Sequence, residues 1–306
     1  MTLNLARPDA PAPGHACQCG CTTRHIRIPA TRRYSSDLSD TEWAVLEPLL
    51  PVPLANTERG GRPEKHHRRA VLDAIFYLVD NGIKWRALPI DFPPWQTVYG
   101  LFARWCAEYA VTDLVDALRT QLRTALGRAP HPSAGSADAQ SVHESSEAVV
   151  PKATSGFDPH KKVNGRKRHI VVDTLGLLVA VAVTPANVQD RDAAWLLLPG
   201  ARRRGLRLVW VDQGYAGPLQ TEAEPKLGLK VQVVSREPGQ KGFAVLPRRW
   251  VVERSFAWIG RRRRCARDYE RTLAHHLGMV QLAAIMQMTR RLAREVSAST
   301  TRPMEI

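Results

Sequence analysis

The stretch 206–215, LRLVWVDQGY, decides how this chain is read. Leu208, Val209, Trp210 and Val211 are large and apolar, partly β-branched or aromatic, and Gly214 follows two positions after Asp212. The pattern is that of a buried strand ending at a carboxylate. In an open α/β sheet the ends of parallel strands are where ligands and catalytic groups collect, because a rigid scaffold there turns its backbone out towards solvent. An Asp-x-Gly segment also opens turns for purely local reasons. Partner carboxylates elsewhere in the chain decide between the two readings.

Composition narrows the partners. The 306 residues suffice for one large domain or two medium ones. Forty-four Lys and Arg stand against 29 Asp and Glu, a net charge of +15 at pH 7 and a pI near 10.2. Such an excess points to a polyanion, nucleic acid first, since each basic side chain that neutralises a phosphate releases a condensed counterion. A membrane is disfavoured: the longest apolar run, 177–183, has seven residues, far too few to span a bilayer. The Pro- and Ala-rich start lacks the apolar core of a secretory signal. Five Cys do not make a disulfide framework, so a reduced, cytoplasmic protein is expected.

Along the chain, 1–33 carries four Pro and no periodicity and reads as a disordered leader. Within it His15, Cys17, Cys19, Cys21 and His25 match zinc-ligand spacing only weakly. Ser39-Asp40-Thr41-Glu42 is a capping box, followed by a stripe of Trp43, Leu46, Leu49 and Leu50 up to Pro51. Further helices are predicted over 65–81, with Val71, Ile75, Leu78 and Val79 buried and Gly82 as C-cap, after Pro93-Pro94, and over 112–126. Short amphipathic helices in a basic chain suit a helix-turn-helix-like DNA module over 34–128, a pattern that any small helical bundle shares. A composition break at 127–135 opens a second domain, 129–295, before a flexible tail, 296–306. There 168–173 and 177–184 read as a hairpin through Asp173-Thr174-Leu175-Gly176. A helix carrying Trp195, Leu196, Leu197 and Leu198, the strand before Asp212, a short helix and a strand over 229–235 follow. This order predicts an α/β fold, a mixed sheet flanked by helices and preceded by a small all-α domain.

Phosphodiester chemistry can be run by two Mg²⁺ ions held by carboxylates from different elements, Mg²⁺ requiring hard oxygen ligands. Asp173 in a hairpin turn, Asp190 and Asp192 at a helix start, and Asp158 in a polar loop each have a local explanation. Asp138, in SADAQSV, stands where the second domain's first strand is expected. Glu253 lies in 248–264, RRWVVERSFAWIGRRRR, a helical pattern whose wheel puts Arg249, Phe256, Ala257, Gly260 and Arg264 on the glutamate's face. Val252 and Ile259 form a flank for packing on a sheet. The run Arg261-Arg262-Arg263-Arg264 fits phosphate binding better than helix support. Trp210, Trp250 and Trp258 are expected to pack in the core rather than stack on a base.

From Tyr34 to Arg294 the sequence resembles the DDE transposases of bacterial insertion sequences, the group of insertion sequence family five in particular. The likeness rests on LSDTEWAVLEPLLP, on GGRPEKHHRRAVLDAIFYLVDNGIKWRALPIDFPPWQTVYGLFARW, and on SADAQSV, GRKRHIVVDTLGLLVAVAVTPANVQDRDAA, VWVDQGYAG and RRWVVERSFAWIGRRRRCARDYERT, in that order. The resemblance implies a ribonuclease-H-like catalytic domain with the triad Asp138, Asp212 and Glu253, 74 and 41 residues apart. The family's Arg four positions before the glutamate is Arg249. Two positions depart: Leu246 replaces a Tyr, and Gly260 replaces the basic residue expected seven after the glutamate, leaving Arg261 or Arg264 to serve.

The expected activity is therefore transposition: binding of terminal inverted repeats, cleavage at the ends, and transfer of 3′-OH ends to target DNA. Asp138, Asp212 and Glu253 would hold Mg²⁺, with Mn²⁺ substituting. Arg249, Arg261 and Arg264, with Lys161, Lys162, Arg166, Lys167 and Arg168, would grip the phosphates of double-stranded DNA. A homodimer bridging two ends, at the nucleoid and off the membrane, is implied. The alternatives are a ribonuclease-H-like nuclease without strand transfer and a non-catalytic DNA-binding protein derived from a transposase.

Overall fold

A computed structural model describes residues 32–58, 60–145, 149–235 and 247–301; the Cys cluster of the N-terminal leader lies outside them. The first half forms four helices, α1 (Asp40–Leu46), α2 (Arg68–Asn81), α3 (Trp95–Ala107) and α4 (Ala110–Ala125). The capping box is reciprocal: Glu42 N–H donates to Ser39 Oγ at 3.1 Å, and Ser39 N–H to Glu42 Oε2 at 2.8 Å. The α-helix ends at Leu46 instead of continuing to Leu50, with a 3₁₀ turn over Glu47–Leu49 that contains Pro48, which has no N–H to give. Gly82 ends α2 at φ 71°, where a Cβ would also come within 2.9 Å of the Arg263 side chain.

The second half is built on six strands, β1 (Ala134–His143), β2 (Gly156–Asp158), β3 (Val163–Asp173), β4 (Leu178–Pro185), β5 (Leu208–Val211) and β6 (Lys230–Val233). The order is β2-β3-β1-β5-β6, with β4 pairing on β3 beyond β2. β1 runs antiparallel to β3 and parallel to β5, and β5 runs parallel to β6, so the sheet is mixed, as expected of a ribonuclease-H-like domain. α5 (Asp190–Arg203) and α6 (Pro218–Leu227) cover one face, enclosing Ala137, Val171, Val209 and Val211. α7 (Pro247–Gly260) and α8 (Leu273–Thr301) take the other, against Ile170 and Val172.

α8 also serves the first half. It packs on α1, α2, α3 and α4 as well as α7 and β4, and its Met279, Val280, Ile285 and Met286 share one apolar core with Leu72, Ile75, Leu118 and Leu122. A division at residue 128 therefore separates segments whose side chains are buried together. α8 runs past residue 296, where a tail was predicted, to Thr301. Among the described residues no helix is long and apolar enough to cross a membrane.

Candidate active site

Strand register brings the first two carboxylates level. Ser136 pairs with Trp210 in the parallel ladder, and two residues further along each strand stand Asp138 and Asp212. Neighbouring strands lie about 4.8 Å apart, so the two side chains start as near neighbours. Asp138 is cross-strand from Ile170 and shares its face, the one covered by α7. Its Oδ1 accepts from Ala139 N–H at 2.7 Å. Asp212 caps the 3₁₀ turn Gln213–Tyr215 and accepts from Gly214 N–H at 2.8 Å. The local turn and the strand-end carboxylate are thus the same residue, with one oxygen turned back and one directed outward.

Glu253 is delivered by α7. Val252, Ser255, Phe256 and Ile259, spaced i, i+3, i+4 and i+7, are buried and seat the helix on the sheet. Phe256, placed on the glutamate's face by the helical wheel, belongs to this buried stripe. Ser136 Oγ donates to Arg248 C=O, tying β1 to the start of α7. Ser255 Oγ donates to Gly176 C=O at 3.0 Å, tying its middle to the β3–β4 turn. Gly176 has φ 80°, and a Cβ there would lie 3.0 Å from Ser255 Oγ, so the close approach depends on glycine.

All three carboxylates converge on one atom. Arg249 Nη2 lies 3.7 Å from Asp138 Oδ2, 3.5 Å from Asp212 Oδ2 and 3.6 Å from Glu253 Oε1. Any two of these oxygens are therefore at most about 7.4 Å apart, twice the longest distance. Two like charges even 4 Å apart repel by roughly 4 kcal/mol at an effective dielectric near 20, so the cluster needs cations. Burial, and secondarily the charge of Asp212, raises the Asp138 carboxyl to about 6 against the hydrogen bond from Ala139 and the charges of Arg249 and Lys161. Hard oxygen donors from three elements suit Mg²⁺ by ligand type. As they stand, no three His, Cys, Asp or Glu among the described residues close round a metal ion, and the Arg249 guanidinium lies amid the three carboxylates.

Sequence reasoning gave Tyr215 no role. Its side chain is 1% exposed, its hydroxyl has no hydrogen-bond partner, and burial with the charges of Asp190, Asp138 and Asp212 raises its pKa well above the ordinary tyrosine value. The available signal was its position, three residues after Asp212 in the same turn.

The other acidic residues are engaged elsewhere. Asp173 is fully buried, accepts from Leu175 and Leu177 N–H at 2.9 Å each, and pairs with Arg123. Asp158 would be raised by burial, yet the hydroxyl of Ser141, the N–H groups of Lys161 and His160, and the charge of Lys167 hold it at about 2. Asp190 pairs with Lys167 at 3.0 Å.

The basic residues divide. Lys161, Lys162 and Arg261 are exposed; Lys161 is close enough for its charge to act on Asp138. Arg166, Lys167, Arg168 and Arg264 are buried, which corrects their reading as phosphate contacts. Arg166, 0% exposed, pairs with Asp268 at 2.9 Å and donates to Glu270 C=O. Lys167 pairs with Asp158 and Asp190. Arg168 donates to Gln140 and to Cys265 C=O. Arg264 lies beyond the end of α7, in a 3₁₀ turn, and donates to Glu270 Oε1 at 2.7 Å and Ile83 C=O at 2.8 Å. β3 is covered on both faces, so a run of basic residues along it is drawn inside and must be matched by internal acceptors. The tryptophans also depart from expectation: Trp250 is exposed, Trp210 and Trp258 half-buried. Arg254 lies over the rings of Trp250 and Trp258, and Arg248 over that of Trp210.

Comparison with known proteins bears on the whole arrangement. A family model described as "Transposase DDE domain" matches residues 129–288, and one described as "Putative transposase of IS4/5 family" matches residues 38–115. The chain is 30% identical over 131 residues to the "Putative transposase for insertion sequence element IS402" of Burkholderia cepacia, covering 40% of this chain and 62% of that protein. It is 33% identical over 54 residues to the "Insertion element IS402 uncharacterized 16.2 kDa protein" of the same organism, covering 18% and 37%. The matches thus span less than two thirds of either relative.

Proposed function

Because the chain belongs to the DDE transposases of insertion sequences, we propose that it binds the terminal inverted repeats of its own element, cuts phosphodiester bonds there and joins the freed 3′-hydroxyls to target DNA. The observation that carries this reading is the convergence of Asp138, Asp212 and Glu253, from β1, the end of β5 and α7, on a single guanidinium nitrogen. DDE domains generally work with divalent metal ions. In this chain the three carboxylates are the proposed ligands, with Mg²⁺ as the ion and Mn²⁺ as its substitute. Once bound, such ions lower the barrier by activating the attacking oxygen and neutralising the leaving one.

The protein's own groups set the geometry. Asp138 is held by a central strand and its bond from Ala139, Asp212 by its bond from Gly214, and both present a second oxygen to the same point. Glu253, with its side chain 50% exposed, is the donor with most room to adjust. Lys161, Lys162 and Arg261 are the proposed contacts to the DNA backbone, which orient the duplex without reading its sequence. Sequence reading falls to the helical segment 34–128, and two copies of the chain bridge two ends at the nucleoid.

Asp212→Asn keeps the side-chain size and removes a charge from the site. On a labelled duplex carrying the element's end, it is expected to abolish metal-dependent cleavage and leave end binding within a few-fold. Retained cleavage overturns the assignment. With pre-cut ends, wild-type protein is expected to yield joined product, and a chain that cuts but never joins is a nuclease instead.

A further inference from the structure

We propose that Arg249 is a resident counter-cation: in the DNA-free protein its guanidinium occupies the position of positive charge among Asp138, Asp212 and Glu253, and divalent ions displace it when they load. The inference rests on the reading of these three residues as metal ligands.

The geometry of the arginine carries the argument. Buried arginines paired with a carboxylate sit close to it: Arg68 contacts the two oxygens of Glu64 at 2.6 and 2.8 Å, and Arg264 contacts Glu270 at 2.7 Å, whereas the partly exposed Arg104 and Arg290 lie 3.5 and 3.7 Å, respectively, from a single glutamate each. The shorter distances are those of charge-assisted hydrogen bonds. Among the described residues the one hydrogen bond of Arg249 is long, from Nη2 to Asp212 Oδ2 at 3.5 Å. One nitrogen is shared among three carboxylates at 3.5 to 3.7 Å, and Nε is buried without a hydrogen-bond partner. The guanidinium balances charge at the centre of the cluster instead of docking on any one member.

The balance is incomplete. Three carboxylates against one guanidinium leave a formal charge of −2, and displacing the guanidinium leaves −3 for divalent cations to balance. Arg249 is also built to leave: it sits in the first turn of α7, one turn before Glu253, and its side chain is 23% exposed. Displacement places a guanidinium at the rim of the site, free for a phosphate oxygen, so metal loading and DNA grip are coupled through one side chain.

The test is titration of the full-length, DNA-free protein with MnCl₂ at pH 7.5 by calorimetry, with paramagnetic resonance of the ion as a second readout. Arg249→Gln is expected to bind Mn²⁺ about tenfold more tightly than wild type, and Arg249→Lys, whose shorter side chain reaches fewer oxygens, to fall between them. A merely structural arginine gives the opposite result, weaker binding as the pocket loosens. Arg249→Gln is further expected to melt lower than wild type in chelator and to regain the difference with Mn²⁺. If it does not fold, Arg249→Lys alone decides: affinity equal to or below wild type overturns the proposal. Asp212→Asn separates the two layers. If it weakens Mn²⁺ binding while neither arginine variant strengthens it, the counter-cation falls and the metal site stands. If Mn²⁺ binding ignores Asp212→Asn in every background, both fall.

Discussion

Asp73, on the buried side of α2, accepts from Leu38 N–H at 2.8 Å, and burial raises its carboxyl to about 7. A carboxyl whose folded pKa lies above its unfolded value stabilises fully below the unfolded value of 3.8, and that contribution is lost as pH rises through 7. Asp73→Asn keeps an acceptor for Leu38 and cannot ionise. It is expected to be more stable than wild type by about 2–4 kcal/mol at pH 8, with the gap closing towards pH 4, in denaturant titrations at both values. The same scale shows what single residues disclose. Asp212 was legible because a run of large apolar residues leads to it, and Glu253 because its helix has a clear period. Asp138 was legible only by its place at the expected first strand, to which the family resemblance then added its role. Its strand is central and hemmed in: a Cβ on Gly135 would meet Val172 C=O at 2.3 Å, and Ser136 is bonded to Arg248, so the stretch leading into Asp138 carries no large apolar residue. Arg166 and Asp268, 102 positions apart, show why the basic run on β3 misled, since charge in a sequence does not reveal a partner that only folding supplies.

At the scale of elements, the position of α7 governs that of Glu253, the proposed third ligand, and the β3–β4 turn is bonded to α7. Gly176→Ala imposes a left-handed backbone on alanine and presses Cβ towards Ser255 Oγ and Trp258. A loss of about 1–3 kcal/mol in stability is expected, with cleavage falling further than the thermal melt implies, because Glu253 moves with the helix. Asp173→Ala in the same turn strips two N–H groups of their acceptor and leaves Arg123 unpaired in the interior. It should cost about 3–5 kcal/mol by denaturant titration. Most helices and strands were legible from period and punctuation, but α8 was not read. Their ends shifted where a local rule was overlooked, as with Pro48, or where pairing extended a strand beyond its apolar run, as with β3 back to Val163.

For the whole molecule, the charge of +15 predicts a steep salt dependence of DNA binding. Lys161→Ala, Lys162→Ala and Arg261→Ala should each lessen the slope of log affinity against log salt by about one, and Arg166→Ala should act on stability instead. The apolar core was legible piecewise but not in its joining, because no local pattern says that α8 is packed by both halves. A fragment beginning at residue 129 is therefore expected to bind a hydrophobic dye and melt without cooperativity, unlike the full chain. The shared helix also sets a gauge. On the proposed function, the helices that read and the carboxylates that cut are fastened to one beam, and the interval between bases read and bond broken is then fixed as in a caliper. One inserted base pair would lengthen that interval by about 3.4 Å and rotate the far end by about a tenth of a turn, a mismatch the shared core is expected to resist.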